Sequence, residues 1–197
     1  SGRLKIKKSK YVKVKHDHFV IFLNNRITLT FNDPRRFGFV DLVSSANLNT
    51  KKYILNLGID ALSRELNYKY LLSKINKSCV PIKQILLNQK IIAGIGNIYA
   101  SEILFDAKIS PTTSGKDLKI SKIMQLTRSI RKILKKAIKF GGSSIRDYRS
   151  SDGTLGNFQS NFKVYNRDGK TIKGEKILKI VQYGRSTFYC PKIQNNK

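Results

Sequence analysis

Apolar and polar positions alternate from the start of the chain. Leu4-Lys5-Ile6 reads as a strand. His18 to Leu23 carries a continuous apolar run (Phe19, Val20, Ile21, Phe22), which predicts a strand buried on both faces. Asn24-Asn25 is a turn signal, because asparagine tolerates positive φ. Arg26 to Phe31 alternates again through Ile27, Leu29 and Phe31 and predicts the hairpin partner, which Asp33-Pro34 ends. Residues 46–60, rich in Asn, Ser and Lys, read as a linker. Helical spacing then takes over. Ser63 is placed to cap a helix from Arg64 to Ile75, and Pro81 sits at the first turn of a helix from Ile82 to Leu87. The turn Gly94-Ile95-Gly96 leads into a helix from about Asn97 to Ala107, with Asn97 as a candidate cap. Ser121 is placed to cap a long amphipathic helix (Ile123, Leu126, Ile130, Ile133, Leu134, Ala137, Ile138) that Gly141-Gly142 closes. Residues 143–160 read as a loop. From Phe162 short strands return, with Ile177 to Ile180 and Ser186 to Tyr189 flanking a turn at Tyr183-Gly184-Arg185.

Charge narrows the function. Lys and Arg total 39 against 12 Asp and Glu, a formal net charge of +27, which implies a polyanionic partner, nucleic acid or an anionic membrane. Enrichment in Lys, Ile and Asn also fits an A+T-rich coding sequence, which would scatter lysines without placing arginines in special contexts. The arginines therefore carry more weight. No apolar run approaches membrane-spanning length, no signal-peptide pattern opens the chain, and no helix has a basic face opposite Trp or Phe. Cys79 and Cys190 are too few for a disulfide framework, so a reducing cytoplasm is expected. The chain opens on Ser1, not Met, inside a strand-like alternation, and is expected to be a fragment or a processed product.

Three constellations can carry chemistry. Gly94-Ile95-Gly96-Asn97 brings bare backbone to a helix N-terminus, where free N–H groups favour an anion; an ordinary tight helix connection is the alternative. Asp33-Pro34-Arg35-Arg36-Phe37-Gly38 follows the hairpin. Phe37 could push between base steps while Arg35 fills the space of an extruded nucleotide, or the segment could be a surface turn with Arg36 paired to Asp33 and Phe37 in the core. In the terminal ribbon, Arg185 offers a guanidinium to a phosphate, or is simply a solvated charge. His16 and His18 flank Asp17; one could touch a phosphate, and no further ligands support a metal there. Ser143 and Ser144 have no paired base and are not candidate nucleophiles.

Taken in order, Lys15 to His18, Asp33 to Gly38, Leu57 to Leu62, Pro81-Ile82-Lys83, Ala93 to Glu102, Gly141 to Ser144, Val164-Tyr165 and Arg185 to Cys190 resemble the formamidopyrimidine-DNA glycosylase family. The resemblance implies an α+β fold: residues 1–45 as the remainder of an N-terminal β-sandwich, 46–60 as linker, 61–160 as a helix–two-turns–helix domain with a lesion lid at 143–158, and 161–197 as a β-ribbon finger. It implies base-excision repair of oxidised purines (8-oxoguanine, formamidopyrimidine) in damaged double-stranded DNA, followed by strand cleavage, by a monomer in a bacterial cytoplasm, nucleoid-associated. The family's nucleophile, an N-terminal proline, would precede Ser1, so this chain alone is expected to bind DNA without cleaving it; a non-catalytic duplex-binding protein is the alternative. Carried over by resemblance, the DNA contacts are His16, Arg35, Phe37, Lys77, Lys83, Gly94, Gly96, Asn97 and Arg185, with Arg185 also assisting the final elimination. The family's finger holds zinc with four cysteines. Here only Cys190 remains, Ile193 takes the fourth position, and Ile172 and Glu175 fall near the first pair, so no zinc is expected and apolar packing by Ile172, Ile177, Ile180 and Phe188 replaces it.

Overall fold

The computed structural model describes residues 2–144 and 155–195. The chain divides into two compact units, Ser1–Ser45 with Ala137–Asn161, and Ala46–Lys136 with Phe162–Lys197.

The first unit is built on a three-stranded antiparallel sheet. Its strands are β1 (Arg3–Lys7), β2 (Asp17–Phe22) and β3 (Thr28–Asn32), in the order β1-β3-β2. Leu23 N–H donates to Ile27 O at 2.8 Å around a turn in which Asn25 and Arg26 both take positive φ, so Arg26 belongs to the turn and not to the strand. The register aligns Leu4 with Phe31, Ile6 with Leu29, Phe19 with Phe31 and Ile21 with Leu29, which gathers six apolar side chains on one face. The opposite face of β3 buries Thr28, Thr30 and Asn32. The expectation that β2 is buried on both faces is not met: it is an edge strand, and Phe19 and Phe22 stay 42% and 69% exposed.

The second unit is helical. Residues 46–60, expected as a linker, form a 3-10 turn at Ser45–Thr50, a short helix α1 (Lys52–Leu55) and a strand β4 (Ile59–Asp60). β4 pairs in parallel with β5 (Ile92–Ala93). Gly58 makes that pairing possible, since a Cβ there would stand 2.2 Å from Ile91 O. Helix α2 spans Tyr68–Ile75 and begins later than expected: Asn67 Oδ1 accepts from Tyr70 N–H at 3.0 Å, while Ser63 Oγ is used inside a preceding turn by Glu65 N–H. Helix α3 (Ile82–Leu87) starts directly after Pro81, as expected. Helix α4 spans Asn97–Asp106, and its cap is Gly96, not Asn97. Helix α5 (Ile120–Lys139) begins one residue before Ser121, which is therefore not its cap. Ile123, Leu126, Ile130 and Leu134 join one buried cluster with Leu71, Ile75, Ile82, Leu86, Ile103 and Leu104. The end of α5 from Ala137 belongs to the first unit; there Gly141 and Gly142 close the helix with positive φ, and Gly142 N–H donates back to Ala137 O at 2.9 Å. Most of the expected lid lies outside the described residues; what is described folds back, with Phe158 N–H donating to Gly142 O at 2.9 Å.

The ribbon has two hairpins: β6 (Thr171–Ile172) with β7 (Glu175–Lys176), and β8 (Leu178–Gln182) with β9 (Arg185–Tyr189). The β8–β9 turn is Tyr183-Gly184, both at positive φ, so Arg185 opens β9 instead of lying at the tip.

Candidate nucleic-acid interface

In the first unit, the segment after β3 is an exposed loop on a buried root. Asp33 has 0% exposure. Its carboxylate accepts from Arg35 N–H at 3.3 Å and from Gly38 N–H at 2.7 Å. Phe37 is 79% exposed, which sets aside the alternative that places it in the core. The Arg35 guanidinium lies over its ring, 5.2 Å from the centroid. His18 Nε2 is 2.9 Å from Asp33 O, and Asp33 N–H donates to His16 O at 3.0 Å. His18 thus supports the root of the loop, and His16, at positive φ, stands beside it with ring centroids 6.3 Å apart.

In the second unit, α3 leads to α4 through the glycine turn. Gln89 holds that turn from inside: Oε1 accepts from Gly94 N–H at 2.9 Å, and Nε2 donates to Ile95 O at 2.9 Å. The sequence reading missed Gln89, whose only signal was an amide five residues ahead of Gly94. Gly94 needs glycine for its φ of +97°. Gly96 does not: its φ is −104°, and a Cβ there would meet nothing within 4 Å. Nothing among the described residues requires a glycine at position 96, which stands at the N-terminus of α4.

Asn97 turns toward the ribbon. Its Nδ2 donates to Ser186 O at 2.9 Å, and its buried Oδ1 has no partner among the described residues. Lys83 reaches the same carbonyl. Its Nζ donates to Ser186 O at 3.0 Å and to Thr187 Oγ1 at 2.6 Å, and the residue has 0% exposure. Burial, and then the charge of Arg185, lower the Lys83 pKa from 10.5 to about 8. Lys83, expected as a DNA contact, is therefore enclosed and faces Ser186. Arg185, the neighbour of that carbonyl, is exposed. Lys77 is exposed just past α2. So Lys83, Gly94, Gly96, Asn97 and Arg185 belong to one constellation in the second unit, while His16, Arg35 and Phe37 form another in the first.

The ribbon is fastened by polar side chains of the helical part. Glu102, buried, accepts from the N–H groups of Lys163, Val164 and Tyr165 at 2.8 to 2.9 Å. Burial pushes its carboxyl pKa up, and the three N–H groups pull it partly back. Gln194 Nε2 donates to Ile109 O at 2.9 Å while its Oε1 accepts from Cys190 N–H at 2.8 Å. Val164, Ile177, Phe188 and Cys190 form a buried cluster against which Phe105, Tyr165, Ile172 and Ile193 pack. One thiol among apolar side chains does not fit a tetrahedral zinc, and among the described residues no group of three or more His, Cys, Asp or Glu could hold a metal.

Comparison with known proteins bears on this arrangement. Residues 57–149, which contain the glycine turn and α4, match the formamidopyrimidine-DNA glycosylase H2TH domain. The formamidopyrimidine-DNA glycosylase of Zymomonas mobilis is 45% identical over 195 residues, which cover 98% of this chain and 72% of the relative. The chain belongs to the formamidopyrimidine-DNA glycosylase family. The Roseobacter denitrificans relative is 43% identical, and the chain spans 65% of its length. Among solved structures, a Lactococcus lactis Fpg mutant in complex with Fapy-dG-containing DNA superposes with a TM-score of 0.88 at 36% identity, covering 98% of this chain and 72% of that one. Lactococcus lactis Fpg with abasic-site DNA gives 0.88 at 37% identity and the same coverage. The mixed helix-and-strand fold and the helix–two-turns–helix element are thus those of the family. No helix among the described residues is long and apolar enough to cross a membrane.

Proposed function

We propose that this chain supplies the damaged-DNA grip of a monomeric base-excision glycosylase and AP lyase that acts on oxidised purines such as 8-oxoguanine and formamidopyrimidine. The observation that carries the reading is the Ser186 carbonyl, held at once by the Lys83 amine and the Asn97 amide beside a glycine that no internal contact demands. In this reading the Arg185 guanidinium, the Gly96 backbone and the first N–H groups of α4 are the donors for phosphate oxygens, while Gly94, its N–H held by Gln89, shapes the turn. Lys83 acts through Ser186, and the exposed Lys77 adds positive charge. In the other unit, His16 contacts the backbone while Phe37 wedges into the stack and Arg35 occupies the vacated space. Arg185 would also assist the closing elimination step. The finger is held by its apolar cluster without zinc. A bacterial cytoplasm with access to the nucleoid is the matching compartment.

The test uses the full-length protein. Incubated with an 8-oxoguanine duplex and borohydride, it is expected to yield a covalent protein–DNA adduct through a Schiff base. Duplex binding with no adduct and no base release would identify a non-catalytic DNA-binding protein on the same scaffold.

A further inference from the structure

We propose that Asp33 is a positioning residue for base extrusion, its buried carboxylate setting the shape of the loop that presents Arg35 and Phe37. The inference rests on the wedge role proposed above and adds what controls it.

Asp33 is the hub of its surroundings. Its backbone N–H donates to His16 O at 3.0 Å, and its carbonyl receives Arg36 N–H at 3.3 Å and the His18 ring at 2.9 Å. The carboxylate then joins the two ends of the exposed stretch 34–37, accepting from Arg35 N–H on one side and Gly38 N–H on the other. Between them Arg36 is held at a φ of +55°, in the left-handed region that an ordinary residue keeps only where neighbours enforce it. The far end is equally constrained: a Cβ on Gly38 would stand 2.5 Å from Phe31 Cζ and 3.2 Å from Asp33 Oδ2. A single anion and a glycine thus fix a four-residue arch, and the Arg35–Phe37 stack rides on it in water. A ring so exposed gains nothing for the isolated fold. Presenting it already ordered lowers the entropy that insertion into DNA would otherwise cost.

The competing explanation is that Asp33 merely closes a turn. A mutant cycle in the full-length protein separates the two. Extrusion is followed by stopped-flow fluorescence of 2-aminopurine placed beside the lesion. Asp33→Asn keeps one acceptor oxygen, and Asp33→Ala keeps none. Extrusion is expected to slow by about tenfold and up to about 100-fold respectively, as for lost hydrogen bonds to a charged group. Affinity for undamaged duplex should change by less than about threefold, since the donors proposed around Arg185 and α4 lie in the other unit and the bond from Asp33 to His16 is a main-chain one that both variants keep. In a background with both Arg35→Ala and Phe37→Ala, Asp33→Ala should add less than about threefold. If it instead adds its full effect there, or weakens undamaged-duplex binding equally, Asp33 is only structural and the proposal falls. If Asp33→Ala does not fold, the asparagine variant carries the same cycle. If Phe37→Ala alone leaves extrusion untouched, the wedge reading itself fails, an outcome distinct from failure at Asp33.

Discussion

Lys83 shows how a single residue can be legible in kind and not in role. Its place after Pro81 fits the family pattern, yet its partners lie at positions 186 and 187, a separation no local pattern encodes. The same holds for Gln89 and Asp33: their types are readable, but the N–H groups they hold are set by the folded turn. For Phe37 the sequence left an exposed wedge and a core position open, and its 79% exposure decides only against the core. Lys83 also makes a pH prediction. A lysine whose folded pKa is about 8 against 10.5 when unfolded destabilises the native state while charged. The unfolded chain binds more protons between those values, so stability gained from losing that charge appears as pH rises from about 8 to 10.5, and is absent below. Lys83→Met should abolish this slope in urea-unfolding free energies measured across that range. An unchanged slope would mean that the amine is not enclosed.

Helix and strand positions were readable wherever chain-local rules govern them: Pro81 before α3, the glycine pair after α5, the Tyr183-Gly184 hairpin. They were misread where two caps competed. Ser63 and Asn67 both precede the α2 pattern, and Arg131 decides between them by donating to Leu66 O at 2.6 Å, which holds residues 63–66 in a turn. The ribbon depends on similar long-range ties. Glu102→Gln replaces one acceptor by a donor facing backbone N–H groups, and should cost about 1–3 kcal/mol of stability in chemical denaturation. Because apolar packing and Gln194 hold the ribbon, exhaustive EDTA treatment should leave Tm and duplex affinity unchanged; a fall in either would reveal a bound metal.

At the scale of the whole molecule, charge was the plainest message and burial the least. The excess of 39 cations over 12 anions predicts duplex affinity that falls steeply with salt. Arg185→Ala should reduce the slope of log K against log salt by about 1, with the same loss on every sequence tested; a sequence-dependent loss would place Arg185 on bases instead. The apolar run in β2 was visible, but its exposure was not, because whether a strand face is covered depends on what lies opposite it and not on the strand. The two cysteines have a consequence of their own. Cys79 is exposed and Cys190 is 0% exposed in the ribbon cluster. A thiol reagent such as Ellman's should therefore count one sulfur within seconds and the second only as fast as the ribbon opens, so the chain carries a built-in clock for the breathing of its own finger.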